Sequence, residues 1–83
     1  MSTTRYFDEQ VLRKRAYLTV ELCRGVVADP LRREVQADGR VRHWGRVNLP
    51  DEPEMRILRV VTLEDGETIH NAFLDRGFRE DRR

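Results

Sequence analysis

The chain has 83 residues, which is one domain's worth and enough for a thin core. Apolar residues make up 39% and recur in regular runs, which excludes a disordered polyelectrolyte despite a charged content of 37%. A net charge of +1 excludes a generic polyanion binder, and the lone cysteine, Cys23, excludes an internal disulfide framework.

Residues 1–5 read as a frayed end, as do residues 80–83, with one domain spanning 1–83. Asp8 is placed to cap a first helix, because its carboxylate can accept a free N–H of the first turn. Val11, Leu12 and Ala16 follow at helical spacing, and Arg13, Lys14 and Arg15 form the solvated face. Thr19 can cap a second helix, with Glu21 where a negative charge suits the helix dipole. Leu22, Cys23, Val26 and Val27 make its apolar stripe. Asp29-Pro30 ends it, since the residue before proline is pushed out of helical geometry.

The remainder reads as strands. Arg33 to Ala37 and Arg40 to Val47 flank Asp38-Gly39, a hairpin signal. A two-residue turn there sets Val41 opposite Gln36 and gives no clean apolar face, so either the turn is longer or a bulge intervenes. Asn48 to Glu54, with two prolines and three acids, is a loop. Met55 to Leu63 is the most apolar strand and is expected at the sheet centre. Asp65-Gly66 is a second turn before Thr68 to Leu74, and Phe78 in the charged tail can tuck back.

A two-residue turn at Asp65-Gly66 pairs Thr62 with Ile69, Val60 with Asn71 and Leu58 with Phe73 on the face that meets the helices. The opposite face then carries Ile57, Arg59, Val61, Leu63, Thr68, His70, Ala72 and Leu74, with Arg59 and His70 as diagonal neighbours. The predicted architecture is α+β, with two N-terminal helices packed on one face of a four-stranded antiparallel sheet.

Several residues carry chemistry. Fifteen of the 16 basic residues are arginines, a residue that meets phosphate with a flat two-point fork; a GC-rich coding bias gives the same count. Arg59 sits in the most apolar strand and must reach solvent, a carboxylate such as Asp75 or Glu64, or a phosphate. His70 has an intrinsic pKa suited to proton transfer, although a strand histidine also serves as a hydrogen-bonded structural group. His43 and Trp44, with Arg46, can form a nucleic-acid-binding platform on which a base stacks; a strand tryptophan also serves as core or interface filler. Two histidines without metal-ligand spacing indicate no metal, and no cofactor motif is present. Met1 to Glu9 lacks a signal-peptide apolar stretch, and no run approaches the roughly 18–20 apolar residues of a membrane span, so a cytoplasmic location without membrane attachment is expected.

The run Arg15-Ala16-Tyr17-Leu18-Thr19, the Asp29-Pro30 stop, Asp38-Gly39-Arg40 with His43-Trp44, Leu58-Arg59-Val60-Val61-Thr62, and Ile69 to Arg76 together resemble the small toxins of the RelE/BrnT type, over most of residues 7–79. The resemblance implies helices on one face of a twisted sheet whose other face is open. It implies metal-independent RNA cleavage in toxin members, held silent by an antitoxin. The matching catalytic positions are Arg59, His70 and Arg76. The near-neutral charge departs from the basic RNA-cleaving members. The leading expectation is therefore a non-enzymatic interaction domain on this scaffold, with a homodimer or an antitoxin-like protein as partner. A metal-independent ribonuclease toxin acting on RNA is the alternative.

Overall fold

The first helix begins earlier than the sequence pattern places it. In the computed structural model, which describes residues 2–78, the chain winds as a π-helix over Phe7–Val11 and as an α-helix over Leu12–Lys14; we call the two together α1. The free N–H groups at its start are met by Thr4 rather than by Asp8. The Thr4 hydroxyl accepts from the Phe7 N–H at 3.1 Å, and its carbonyl accepts from the Asp8 N–H at 3.1 Å. Asp8 instead accepts from the Thr3 hydroxyl at 2.7 Å. A threonine upstream can serve the same free donors that an aspartate would.

Helix α2 spans Val20–Ala28 and is capped as expected, the Thr19 hydroxyl accepting from the Leu22 N–H at 3.0 Å. Four strands follow: β1 (Arg32–Val35), β2 (Val41–Val47), β3 (Arg56–Thr62) and β4 (Ile69–Leu74). They form one antiparallel sheet in the order β1-β2-β3-β4. Two helices and a four-stranded antiparallel sheet make an α+β fold, as the sequence predicts. No helix among the described residues is long and apolar enough to cross a membrane.

The first hairpin has the longer turn. Gln36 N–H donates to the Arg40 carbonyl at 2.7 Å, leaving Ala37, Asp38 and Gly39 as the loop. Gly39 has φ +92°, a conformation side chains resist, and a Cβ there would meet the Glu64 carboxylate. The extra loop residue sets Val35 opposite Val41 and resolves the register.

The second hairpin starts in the predicted register and then shifts. Thr62 faces Ile69, but Val61 faces Asn71, so His70 is an extra residue in β4. Past this bulge Val60 faces Ala72, Arg59 faces Phe73 and Leu58 faces Leu74. The two-residue turn alone predicted Asn71 and Phe73 on the helix side and Ala72 and Leu74 on the open side. The bulge exchanges them, because one inserted residue reverses every side chain beyond it.

The core lies between the helices and this face. Phe7, Val11, Leu18, Cys23 and Val26 pack against Val47, Leu58, Val60, Ile69 and Ala72. Each large side chain so buried contributes about 1.5–3 kcal/mol. Helix α2 approaches β2 closely at Gly45, where a Cβ would stand 3.0 and 3.1 Å from the two Val26 methyls. Cys23 belongs to this core, and burial pushes its thiol pKa up to about 12, which leaves it unreactive.

The N-terminal segment, expected as a frayed end, is tied to the sheet. Thr3 forms a parallel bridge with Ile69, the Ile69 N–H donates to Ser2, and the Thr4 N–H donates to the Ile69 carbonyl, both at 2.9 Å. It thereby covers part of the outer edge of β4. Residues 80–83, also expected to fray, lie outside the described residues.

Candidate functional site

Alternation along the strands assembles one cluster on the face away from the helices. Trp44 of β2 lies opposite Arg32 of β1 and Arg59 of β3, and Arg59 lies opposite Phe73 of β4. The Arg59 guanidinium stands 4.4 Å over the Phe73 ring and 5.8 Å from the Trp44 ring centre. Arg32 covers Trp44 from the β1 side at 5.5 Å. Both arginines are positioned for cation–π attraction.

Asp75 closes the cluster. Its backbone N–H donates to the Ile57 carbonyl at 2.9 Å, which fixes it just beyond β4. Its Oδ2 accepts from the Trp44 indole N–H at 2.9 Å and lies 3.6 Å from Arg59 Nε. The indole hydrogen bond above all, helped by the Gly77 N–H and the Arg59 charge, holds the Asp75 carboxyl below the usual carboxylate range. The chain then turns back, and Phe78 stacks on Trp44 with ring centres 5.4 Å apart and planes 22° apart. Trp44 is left only 5% exposed. Among the described residues, the buried Arg59 Nε finds no hydrogen-bond partner, since 3.6 Å is too long for one. Above the cluster is an open recess of about 520 Å³, lined chiefly by Arg32, Arg42, Trp44, Arg59, Asp75 and Phe78.

The residues singled out in the sequence are distributed unevenly around this recess. Arg59 and Trp44 are in it, and Arg59 pairs with Asp75, one of the two carboxylates expected for it. His43 and Trp44 do not form a common platform, because adjacent strand residues point to opposite faces. His43 is 1% exposed on the helix side, where its Nδ1–H donates to the Val60 carbonyl at 3.2 Å. Burial lowers its pKa, and Arg33 adds to the effect against the opposing Val60 bond. Arg46 is exposed on β2.

His70 is not the diagonal neighbour of Arg59. It sits at the bulge, with Nδ1 3.0 Å from the Thr4 hydroxyl and its ring 5.0 Å from that of Tyr6. Burial, then the Arg40 charge, lowers its pKa. Arg76 is exposed and lines a different recess, with Lys14, Arg15 and Arg56. His70 lines neither recess. The three candidate catalytic residues therefore do not converge.

Sequence reasoning missed Arg32, Arg42 and Phe73 as members of the cluster. The alternation Arg42, Trp44, Arg46 was visible as a strand face, but Phe73 could be placed only once the bulge was known. Among the described residues no group of three or more His, Cys, Asp or Glu side chains could hold a metal ion. No family model matches this chain, and neither a curated protein nor a solved structure matches it.

Proposed function

We propose that this chain is a non-enzymatic interaction domain, on a scaffold of the RelE/BrnT type, that meets a protein partner through its open sheet face. The observation that carries the reading is the separation of Arg59, His70 and Arg76. General acid–base chemistry on a phosphate needs its proton carrier and its cations within hydrogen-bond reach of one group. Here Arg59 is folded against Phe73 and Trp44, His70 is engaged by Thr4 at the bulge, and Arg76 faces another recess.

The face has the composition of a contact surface instead. Ile57, Val61, Leu63 and Phe73 are half-buried on it beside the arginine-flanked Trp44. Aromatic side chains and arginine are the groups that dominate protein contacts. Ala72 and Leu74, assigned to this patch from the sequence, belong to the helix side and do not contribute.

The test is induced expression in a bacterium, wild type beside an Arg59→Ala/His70→Ala variant, following growth and total RNA. The interaction reading expects both cultures to grow alike with intact RNA. Growth arrest with RNA fragments in the wild type, absent in the variant, overturns it in favour of the ribonuclease.

A further inference from the structure

Three segments far apart in sequence meet at one end of the molecule. The turn after α1 (residues 15–19), the β2–β3 loop and the exit of β4 surround a recess of about 650 Å³, larger than the one above Trp44. That is the size of a site for a small organic molecule.

Each wall is held locally. Arg15 leaves α1 in extended geometry, with φ −117° and ψ 90°, and its carbonyl accepts from the Leu18 N–H at 3.0 Å. Lys14 and Arg15 are thereby set at the helix end that favours cations. In the loop, the Glu52 N–H donates to the Leu49 carbonyl at 3.1 Å, and Arg56 donates to the Glu52 carboxylate at 2.9 Å. The Leu74 N–H donates to the Tyr17 hydroxyl at 3.3 Å, which ties the β4 exit to the turn after α1.

The charges do not balance. Lys14, Arg15, Arg56 and Arg76 line the recess with only two carboxylates, Asp51 and Glu52, so its net charge is +2 against +1 for the whole chain. Arg56 is answered by Glu52. Among the described residues Lys14, Arg15 and Arg76 make no ion pair and no side-chain hydrogen bond. Around the recess above Trp44, by contrast, Arg32, Arg42 and Arg59 are each set against a carboxylate. Between the charges the lining is largely apolar, with Leu49 buried and Tyr17 and Leu74 half-buried. The Tyr17 hydroxyl accepts from Leu74 and keeps its own hydrogen to donate.

We propose that this recess binds a phosphate monoester carrying an apolar or aromatic body. The inference does not depend on what the open sheet face contacts. Charge selects the head group. A monoester carries about −1.5 to −2 at neutral pH and matches the site, whereas a carboxylate or a phosphodiester carries only about −1. Guanidinium forks meet phosphate oxygens in two-point, charge-assisted bonds. The apolar wall of Tyr17, Leu49 and Leu74 selects the body, because a bare ion would leave it wet.

The test is titration of the isotope-labelled chain, followed by backbone amide shifts, with phenyl phosphate, inorganic phosphate and benzoate as probes. Salt is held at about 150 mM, which screens the diffuse field of exposed charges. Phenyl phosphate is expected to shift the Tyr17, Leu74 and Arg76 amides with a Kd of about 1 mM or lower, as its size allows. Inorganic phosphate lacks the body and benzoate the second charge, so each should bind about tenfold more weakly. Arg15→Ala and Arg76→Ala should each weaken phenyl phosphate about tenfold, the effect of one lost charge-assisted bond. Neither side chain has a partner in the fold, so both variants should keep the wild-type spectrum away from the recess. Arg13→Ala, exposed on the same helix but outside the recess, should leave binding unchanged. No shift of these amides up to about 10 mM phenyl phosphate overturns the proposal. So does benzoate or inorganic phosphate binding as tightly as phenyl phosphate. An affinity that Arg15→Ala and Arg76→Ala leave unchanged, or that Arg13→Ala lowers as much as they do, overturns it too.

Discussion

The indole N–H of Trp44 and the carboxylate of Asp75, 31 residues apart in sequence, meet at 2.9 Å on the face of the sheet away from the helices. Through this bond the segment after β4 is drawn back over β2, which brings Phe78 onto the indole and a negative charge beside Arg59.

Asp75→Ala leaves the Trp44 N–H without its acceptor and Arg59 without its counter-charge. Unmet buried donors cost about 1–3 kcal/mol, so a loss of that size is expected in urea unfolding at neutral pH. Asp75→Asn can still accept from the indole and should lose less. Because the Asp75 pKa is depressed in the fold, its contribution is present above the unfolded value of 3.8 and is lost as pH falls through the lower folded value. Asp65 is depressed too, by its bonds to Thr68 and Glu67, and works in the same window. The Asn variant should therefore flatten part of the acid limb of stability against pH. An acid limb identical to wild type contradicts the assignment.

The two histidines act in a higher window. Both pKa values are lowered by burial, so the unfolded chain binds protons that the folded chain refuses. Stability is full above the unfolded value of 6.5 and falls as pH drops below it toward the folded values. The urea midpoint is expected to be lower at about pH 5.5 than at about pH 7.5, a range that leaves the carboxylates ionised. His43→Leu with His70→Gln should remove this slope whatever it does to the absolute stability. An undiminished slope in the double variant shows that other groups produce it.

The contact between α2 and β2 is set by a missing side chain. Gly45→Ala puts a methyl about 3 Å from Val26, closer than packed carbons stand. Overpacking of this kind costs about 1–3 kcal/mol. Val26→Ala alone opens a void. The two together should be less destabilised than the sum of the single variants, which a double-mutant cycle by thermal unfolding measures. Simple additivity shows that the helix shifts to accommodate the methyl.

The sequence by itself determined the local elements. The Thr19 cap, the Asp29-Pro30 stop, the two Asp-Gly turns and the apolar run in β3 each act within a few residues, so two helices and four antiparallel strands were legible. So was the pairing of Arg59 with a carboxylate, since a charge in an apolar strand must be answered. Tertiary structure decided the rest. A single inserted residue at His70 exchanged the faces of Ala72 and Phe73, moved His70 away from Arg59, and set Phe73 beneath the Arg59 guanidinium. No local pattern marks that bulge. It lies where residues 2–4 bond to Ile69, a contact between segments more than sixty residues apart. A strand's side chains alternate with period two, so one residue of slip, fixed from outside the strand, reassigns every group that a site would use.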